Sequence, residues 1–582
     1  MFQELKKLQW YLKEKSKSYI LGLTFLITVG VFEIMPPIVV GKAVDSIATG
    51  SVTAKSLSMT LLQMASLIVI IYVMSCVWAY NIFQNSIFID FRLRSKMMKK
   101  LLYMPQTFFE RFTSGDLMAR ATSDVESISE MMGFGVLTFS DGIMYLTTVL
   151  LAMSIMVSWK LTLVSILPFP ILTLTSKYIG DLVHKMYTEQ QKVFSEMNDE
   201  VLEHINGIRV VRSYVLEEQA IQKFEKTAEN VFKKTLKTEI VGGAFWPSTK
   251  LFTTLSFVIA IGYGSGLVLA NEITLGQLIS FNLYLGQLVW PMFSIGEFIN
   301  VGQRGSTSIK RVYEILDAKD RNEEAGSKDW NQPIEKITFD NYSFQYPTSQ
   351  NYNLKDVNLK IRRGETLGIV GKTGSGKSTL IKQLLKEYPV GEGKILIGDS
   401  PIELLTKDSL MNYVGYVSQD NVLFSKSVRE NILMGKDDAS EEELLQTIQL
   451  SDLTRDIDAF TEGVDTLVGE RGVAVSGGQK QRISIARAII RDPELLVMDD
   501  SLSAVDSRTE ARIINNIREN RKGKTTVIVT HRLSAVSHAD EIIVLEDGEI
   551  VERGTHEELL AKDGWYSEQY HIQQMEGDGD DE

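Results

Sequence analysis

A chain of 582 residues exceeds what one hydrophobic core holds, at roughly 150 residues per domain, and its net charge of −13 argues against a nucleic-acid surface. The single cysteine, Cys76, excludes an internal disulfide framework and a thiol-rich metal site; lying in an apolar run, it reads as a buried structural thiol. Charge density divides the chain near Val301, with long apolar runs before it and the charge spacing of a soluble α/β protein after it, so a membrane half precedes a soluble half.

The first 18 residues, MFQELKKLQWYLKEKSKS, are amphipathic and lack the apolar core and small-residue cleavage site of a secretory signal; they are expected to form a helix at the cytoplasmic interface. Six segments then reach the roughly 20 apolar residues needed to cross about 30 Å of hydrocarbon. They are Tyr19 to Val40, Leu61 to Ile82, Gly133 to Val157, Leu161 to Ile179, Leu251 to Ala270 and Leu275 to Phe298. Ser158, Trp159 and Lys160 form a tight hairpin between the third and fourth, whereas the second-to-third and fourth-to-fifth connections are long. Lys and Arg crowd the N-terminus and both long connections (Arg92, Arg94, Lys96 and Arg120 in the first, Lys185, Arg209 and Arg212 in the second), which places these on the cytoplasmic side with both termini. The membrane domain is expected over residues 19–305, with a linker over 306–333.

From Ile334 to about residue 572, short β-branched runs alternate with amphipathic stretches, the pattern of an α/β domain, and an acidic tail closes the chain over 573–582. Its informative stretch is LGIVGKTGSGKSTL, in which an apolar strand enters Gly371, Lys372, Thr373, Gly374, Ser375 and Gly376, then Lys377, Ser378, Thr379 and a helix. Glycines let backbone N–H groups turn inward around phosphates, the lysine reaches the outer phosphates and the hydroxyl of Ser378 faces Mg²⁺, so the expected ligands are ATP and Mg²⁺. A second metal partner is expected on a buried strand ending in a carboxylate, and the run Leu495 to Asp499 supplies one. Between the two, Ser476, Gly477, Gly478 and Gln479 open a helix whose N-terminal N–H groups and dipole suit an anion, although an ordinary helix cap would look the same.

Taken together, GKTGSGKST, VSQ at Val417 to Gln419, VSGGQ at Val475 to Gln479, LLVMDD, SAVD at Ser503 to Asp506 and THR at Thr530 to Arg532 resemble the ordered motif set of ABC transporter ATPase domains. Six spans fused ahead of them resemble one half of an ABC exporter, and PQTFFERFTSGDLMARATSD and NGIRVVRSY resemble its intracellular-loop segments. The resemblance implies a six-helix, all-α membrane domain fused to an α/β P-loop ATPase. Fusion favours export over import, because importers usually carry the two parts on separate chains. No peptidase-like extension precedes Tyr19, so a peptide-maturing transporter is not expected.

By the same resemblance Tyr346 stacks on adenine, Gln419 senses Mg²⁺ and relays to the membrane helices, and His531 bonds the γ-phosphate. Ser503 and Asp506 belong to the loop that joins two ATP sites. Each ATP in this family lies between Lys377 of one ATPase domain and Ser476 of another, which implies a second ABC half as partner. Asp500 departs from the pattern, because the family places Glu there to polarise the attacking water within about 2.6 to 3.2 Å. Aspartate is shorter by one methylene, and a misplacement of about 1 Å can cost on the order of 100-fold, so this chain's own site is expected to be slow unless a backbone shift or an extra water restores the reach. A degenerate carboxylate beside an intact Ser-Gly-Gly-Gln resembles one subunit of the heterodimeric bacterial multidrug exporters, with a slow homodimer as the alternative.

The implied cargo is a hydrophobic or cationic amphiphilic compound, with a lipid or lipopeptide flippase and an ATP-binding sensor subunit as competing readings. Glu33, Asp141 and Glu297 are ionisable residues inside spans and hence candidates for substrate contact, though structural pairing explains Glu33 as well.

Overall fold

The computed structural model describes residues 2–319, 326–469, 472 and 474–578, and falls into two compact units. One comprises Met1–Leu101 with Ser114–Ala318, the other Leu102–Thr113 with Lys319–Glu582. The expected division into a helical half and an α/β half is therefore present, with one addition: the loop segment around Gln106–Arg111 belongs to the second unit.

Among the described residues of the helical unit, five stretches are long and apolar enough to cross a membrane: Ser16–Ala48, Ala54–Leu102, Ser114–Ile166, Glu217–Leu269 and Leu275–Leu316. The third contains the expected hairpin, because Ser158 is extended and its Oγ accepts the N–H of Leu161, reversing the chain. The fourth expected span is not one continuous helix. It is divided between Trp159–Ile166 and Pro168–Asn206, where Pro168 has no N–H to continue the ladder. The last helix runs without a break over Val289–Leu316, so the first third of the expected linker is helix, and residues 320–325 of it lie outside the described residues. The 49-residue helix Ala54–Leu102 presents Ile68, Val69, Tyr72 and Val73 outward, an apolar exposed face suited to lipid. Cys76 is exposed on this same helix rather than buried: an apolar run in a membrane helix fills both its packed and its lipid faces, so apolarity alone does not imply burial.

Small residues set one helix crossing. A Cβ on Gly276 would lie 2.0 Å from the carbonyl oxygen of Gly41, so the helices Met35–Ala48 and Leu275–Gln287 meet backbone to backbone. Asp45 fixes the register, accepting from Gly276 N and Thr274 Oγ1 at 2.7 Å each. Gly276→Ala is accordingly expected to destabilise the protein by about 1–3 kcal/mol, measured as a lowered thermal midpoint in detergent; an unchanged midpoint would mean that the two helices part freely. The N-terminal turns pack rather than lie alone: Tyr11 is fully buried and Trp10 Nε1 donates to Tyr313 Oη at 2.9 Å.

The second unit holds two sheets. Strands β1 (Lys336–Phe344), β2 (Leu354–Arg362), β4 (Glu392–Ile397) and β5 (Ser400–Pro401) form the order β2-β1-β4-β5. The other six are β3 (Thr366–Gly371), β6 (Val414–Val417), β7 (Leu495–Asp499), β8 (Thr525–Val529), β9 (Glu541–Glu546) and β10 (Glu549–Gly554), in the order β10-β9-β3-β8-β7-β6. Strands β9, β3, β8, β7 and β6 are parallel, and β7 and β8 are buried at every position, as expected of strands covered on both faces. A mainly helical part, Val428–Leu433, Glu441–Leu450, Thr454–Ala459 and Gly477–Ile489, has its own apolar cluster around Leu444, Ile483 and Ile490. The expected acidic tail begins inside a closing helix, Trp565–Asp578, and its last four residues lie outside the described residues.

Candidate nucleotide site

In an open parallel sheet, ligands gather beyond the carboxyl ends of the strands. Strands β3 and β7, neighbours of β8 on either side, end at Gly371 and Asp499, so the sheet brings together two motifs that are 128 residues apart in sequence. The loop after β3 turns through Gly374 and Gly376, whose φ angles of 84° and 104° lie in the left-handed region that glycine tolerates, and Gly376 then caps the helix Lys377–Leu384. Lys372 and Thr373 are exposed in this loop, with Lys372 Nζ 2.7 Å from Glu546 Oε1.

Lys377 is only 6% exposed and donates to the carbonyls of Gly371 and Lys372 at 2.8 Å each, folding back over the loop that it closes. Burial lowers its pKa, and the negative charges of Asp500 and Asp499 oppose that shift. Ser375 Oγ, in the same loop, is buried without a hydrogen-bond partner, an orphan that a phosphate oxygen would satisfy. Ser378 Oγ donates to Asp499 Oδ1 at 3.0 Å. Asp499 is 2% exposed, and its burial raises its pKa against the hydrogen bond from Ser378. A buried carboxylate next to a hydroxyl is a hard oxygen donor set, which fits Mg²⁺ held jointly with phosphates rather than in an all-protein cage. No group of three or more His, Cys, Asp or Glu suited to a metal occurs among the described residues.

Asp500 follows with φ 47°, a left-handed conformation, and its N–H is held by the carbonyl of Val529 at 2.8 Å. His531 begins just beyond β8; its pKa is lowered by burial first and by the charge of Lys377 second, with Asp500 opposing, so these three groups share one electrostatic neighbourhood. Gln573 holds that turn, donating to the His531 carbonyl at 2.8 Å and accepting from Leu533 N at 2.9 Å. Tyr346 Oη is 3.2 Å from Thr379 Oγ1, and its ring meets that of Tyr388 edge-on at 4.9 Å, which sets an aromatic face beside the phosphate loop. Tyr388 in turn donates to Glu110 of the Gln106–Arg111 helix, tying that loop segment to the same region. Gln419 is exposed in the loop after β6.

Ser476, Gly477, Gly478 and Gln479 open the helix Gly477–Ile489 through a reciprocal capping box: Ser476 Oγ accepts from Gln479 N at 3.3 Å and Gln479 Oε1 accepts from Ser476 N at 2.8 Å. Gln479 Nε2 donates to Asp456 at 3.0 Å, which anchors the turn to the helical part, while Ser476 and Gly477 remain exposed. The turn is thus both an ordinary cap and an outward-facing set of N–H groups.

Two residues without an assigned role in the motif pattern connect these parts. Arg532, next to His531, donates to Val505 O at 2.9 Å, to Ser503 O at 3.2 Å and to Glu510 Oε2 at 2.6 Å, so it clamps the Ser503 to Asp506 loop. Gln481 reaches the same loop from the helix Gly477–Ile489, accepting from Ala504 N at 2.9 Å and donating to Ser503 Oγ at 3.2 Å. Their signal in the sequence is weak, because polar side chains in a helix or after a strand are most often solvated. Asp506 itself caps the helix Ser507–Asn520 by accepting from Thr509 N at 3.0 Å.

Two family descriptions match the chain, "ABC transporter transmembrane region" over residues 19–292 and "ABC transporter" over 354–503. The chain is 47% identical over 99% of its length to the probable multidrug resistance ABC transporter ATP-binding/permease protein YheI of Bacillus subtilis, of which it covers 98%. It is 37% identical, over 99% of its length and 97% of the relative, to the multidrug resistance-like ATP-binding protein MdlA of Escherichia coli. Among solved structures it is similar to a bacterial Atm1-family ABC exporter with ATP bound, with a TM-score of 0.79 at 25% identity, covering 97% of this chain and 99% of that one. From the nucleotide loop, the fused helical unit and these relatives it follows that this chain is a multi-pass membrane protein of the ABC transporter family, an ATP-hydrolysing exporter-type chain with its transmembrane and ATPase parts on one polypeptide.

Proposed function

We propose that the chain is one half of a heterodimeric multidrug exporter, that its own ATP site is slow, and that its signature turn completes the site of its partner. The observation that carries this reading is the contrast between Asp500 and the Ser476 to Gln479 turn. Asp500 stands where the family has Glu, with its N–H held by Val529, which opposes the backbone slide that would recover the missing methylene. The signature turn is complete, anchored through Gln479 and exposed at Ser476 and Gly477. The names of the relatives, multidrug resistance transporters, support the cargo class.

In this reading Lys377 releases the carbonyls of Gly371 and Lys372 to hold the outer phosphates, and the N–H groups of Gly374, Ser375 and Gly376 line the rest of the phosphate. Tyr346 stacks on the adenine ring. Ser378, Asp499 and Gln419 would hold Mg²⁺, which when bound would neutralise charge on the phosphates. His531 bonds the γ-phosphate and Asp500 orients water, poorly. The basic residues of the long connections support a cytoplasmic position for those loops, both termini and the ATPase part.

Inside-out vesicles containing this chain and its partner half are expected to take up cationic and neutral amphiphilic dyes only when ATP is supplied. Translocation of a headgroup-labelled lipid without dye uptake would favour a flippase, and ATP binding without either would favour a sensor subunit.

A further inference from the structure

Two carboxyl side chains from different helices line one cavity of the membrane unit. Glu33 stands where the first apolar stretch breaks, between the helices Ser16–Phe32 and Met35–Ala48. Asp141 stands in a π-helical turn, Ser140–Tyr145, a widening of the helix that costs hydrogen-bond geometry and is frequent at functional sites. A cavity of about 250 Å³ lies between them and is also lined by Trp78, Met144, Tyr145 and Trp290. Trp290 Nε1 donates to Asp141 Oδ2 at 2.8 Å, which orients the carboxyl while leaving its other oxygen. Trp78 Nε1 is buried with no partner. Glu297, the third acid of the spans, is exposed on the last helix and does not line this cavity.

No Lys, Arg or His is among the described residues that line the cavity. An acidic pair in a membrane segment normally pairs with a protein cation or faces a path for cations. Three large aromatic rings stand around the same space, and ring faces attract a cation, the more so when water is excluded. The volume is below the roughly 300–1,000 Å³ of sites that enclose a whole drug-sized ligand, so the cavity takes one end of such a molecule.

We propose that this cavity binds the charged aromatic end of a planar, monocationic amphiphile, with Glu33 and Asp141 as counter-charges and Trp78, Tyr145 and Trp290 as ring walls. For transport this rests on the export reading above; for binding it does not.

The test is equilibrium binding of ethidium, a planar monocation, and of Nile red, a neutral dye, to the full-length transporter in lipid nanodiscs, for the natural protein and for Glu33→Gln, Asp141→Asn and the double variant. Each substitution is expected to weaken ethidium about tenfold and to leave Nile red unchanged, as loss of a charge-assisted contact does. Ethidium affinity unaltered in the double variant, or an equal loss for both dyes, would overturn the proposal, the second outcome marking a merely structural pair. ATP-driven uptake of ethidium into inside-out vesicles separates the two readings. If the natural protein binds ethidium through these carboxyls but does not pump it, the export reading fails and the cavity assignment stands.

Discussion

Asp500→Glu is expected to speed hydrolysis at the site that contains Lys377 by about 10- to 100-fold, measured as turnover of a transporter whose other site has been silenced. The gain comes from reach, since one methylene restores about 1 Å to a general base that must meet its water within hydrogen-bonding distance. The structure limits the gain. With φ 47° and its N–H fixed to Val529, residue 500 occupies a conformation that Asp accepts better than Glu, so the variant carries about 1 kcal/mol of strain. Faster turnover should therefore come with slightly lower stability. A variant that is no faster would mean that Asp500 already reaches the water, through a water relay or a rearrangement on nucleotide binding.

Removing Arg532 is expected to lower stability substantially. Glu510 is 3% exposed, and Arg532, at 2.6 Å, is its cationic partner, so Arg532→Ala leaves a buried carboxyl without its counter-charge. Breaking such a pair costs about 3 kcal/mol or more when both groups are buried; the guanidinium is 39% exposed and solvent screens it, which puts the expected loss at about 2 kcal/mol. Burial raises the Glu510 pKa even with Arg532 in place, and removing the arginine raises it further. The folded chain then binds a proton at a pH where the unfolded chain has released it, so stability increases as pH falls through the raised value. The loss caused by Arg532→Ala should be greatest at neutral pH and shrink toward pH 5, read from thermal midpoints of the full chain. A loss that does not vary with pH would assign the effect to the two loop carbonyls alone. Because Arg532 also holds Ser503 O and Val505 O, the variant should lower ATP turnover of the assembled pair.

The nucleotide loop was legible in the sequence because its residues are contiguous and each has a local reason: glycines for a tight turn, then a lysine and a hydroxyl at a helix start. Asp499 was legible because a fully apolar strand ended in a carboxylate. Arg532 and Glu510 were not, since their pairing depends on the turn after β8 packing beside the helix Ser507–Asn520, which no periodicity reveals. In the membrane half, apolar length gave the segments but not their continuity, because Pro168 interrupts the fourth expected span, Leu161 to Ile179. Cys76 shows the same limit, as a bilayer rewards apolar residues on exposed and packed faces alike. Glu33 and Asp141 were each visible as costly residues, but only the packing of the first and third stretches places them around one cavity, apart from Glu297.

The most direct measurement of the central claim is ATP turnover of this chain purified alone and assembled with its partner half, each in the natural form and as Asp500→Asn. The account predicts a nearly inactive chain, an active pair, and a pair that Asp500→Asn barely changes. A chain that turns over well alone and is abolished by Asp500→Asn would contradict it, and would make Asp500 the working base of a homodimeric pump.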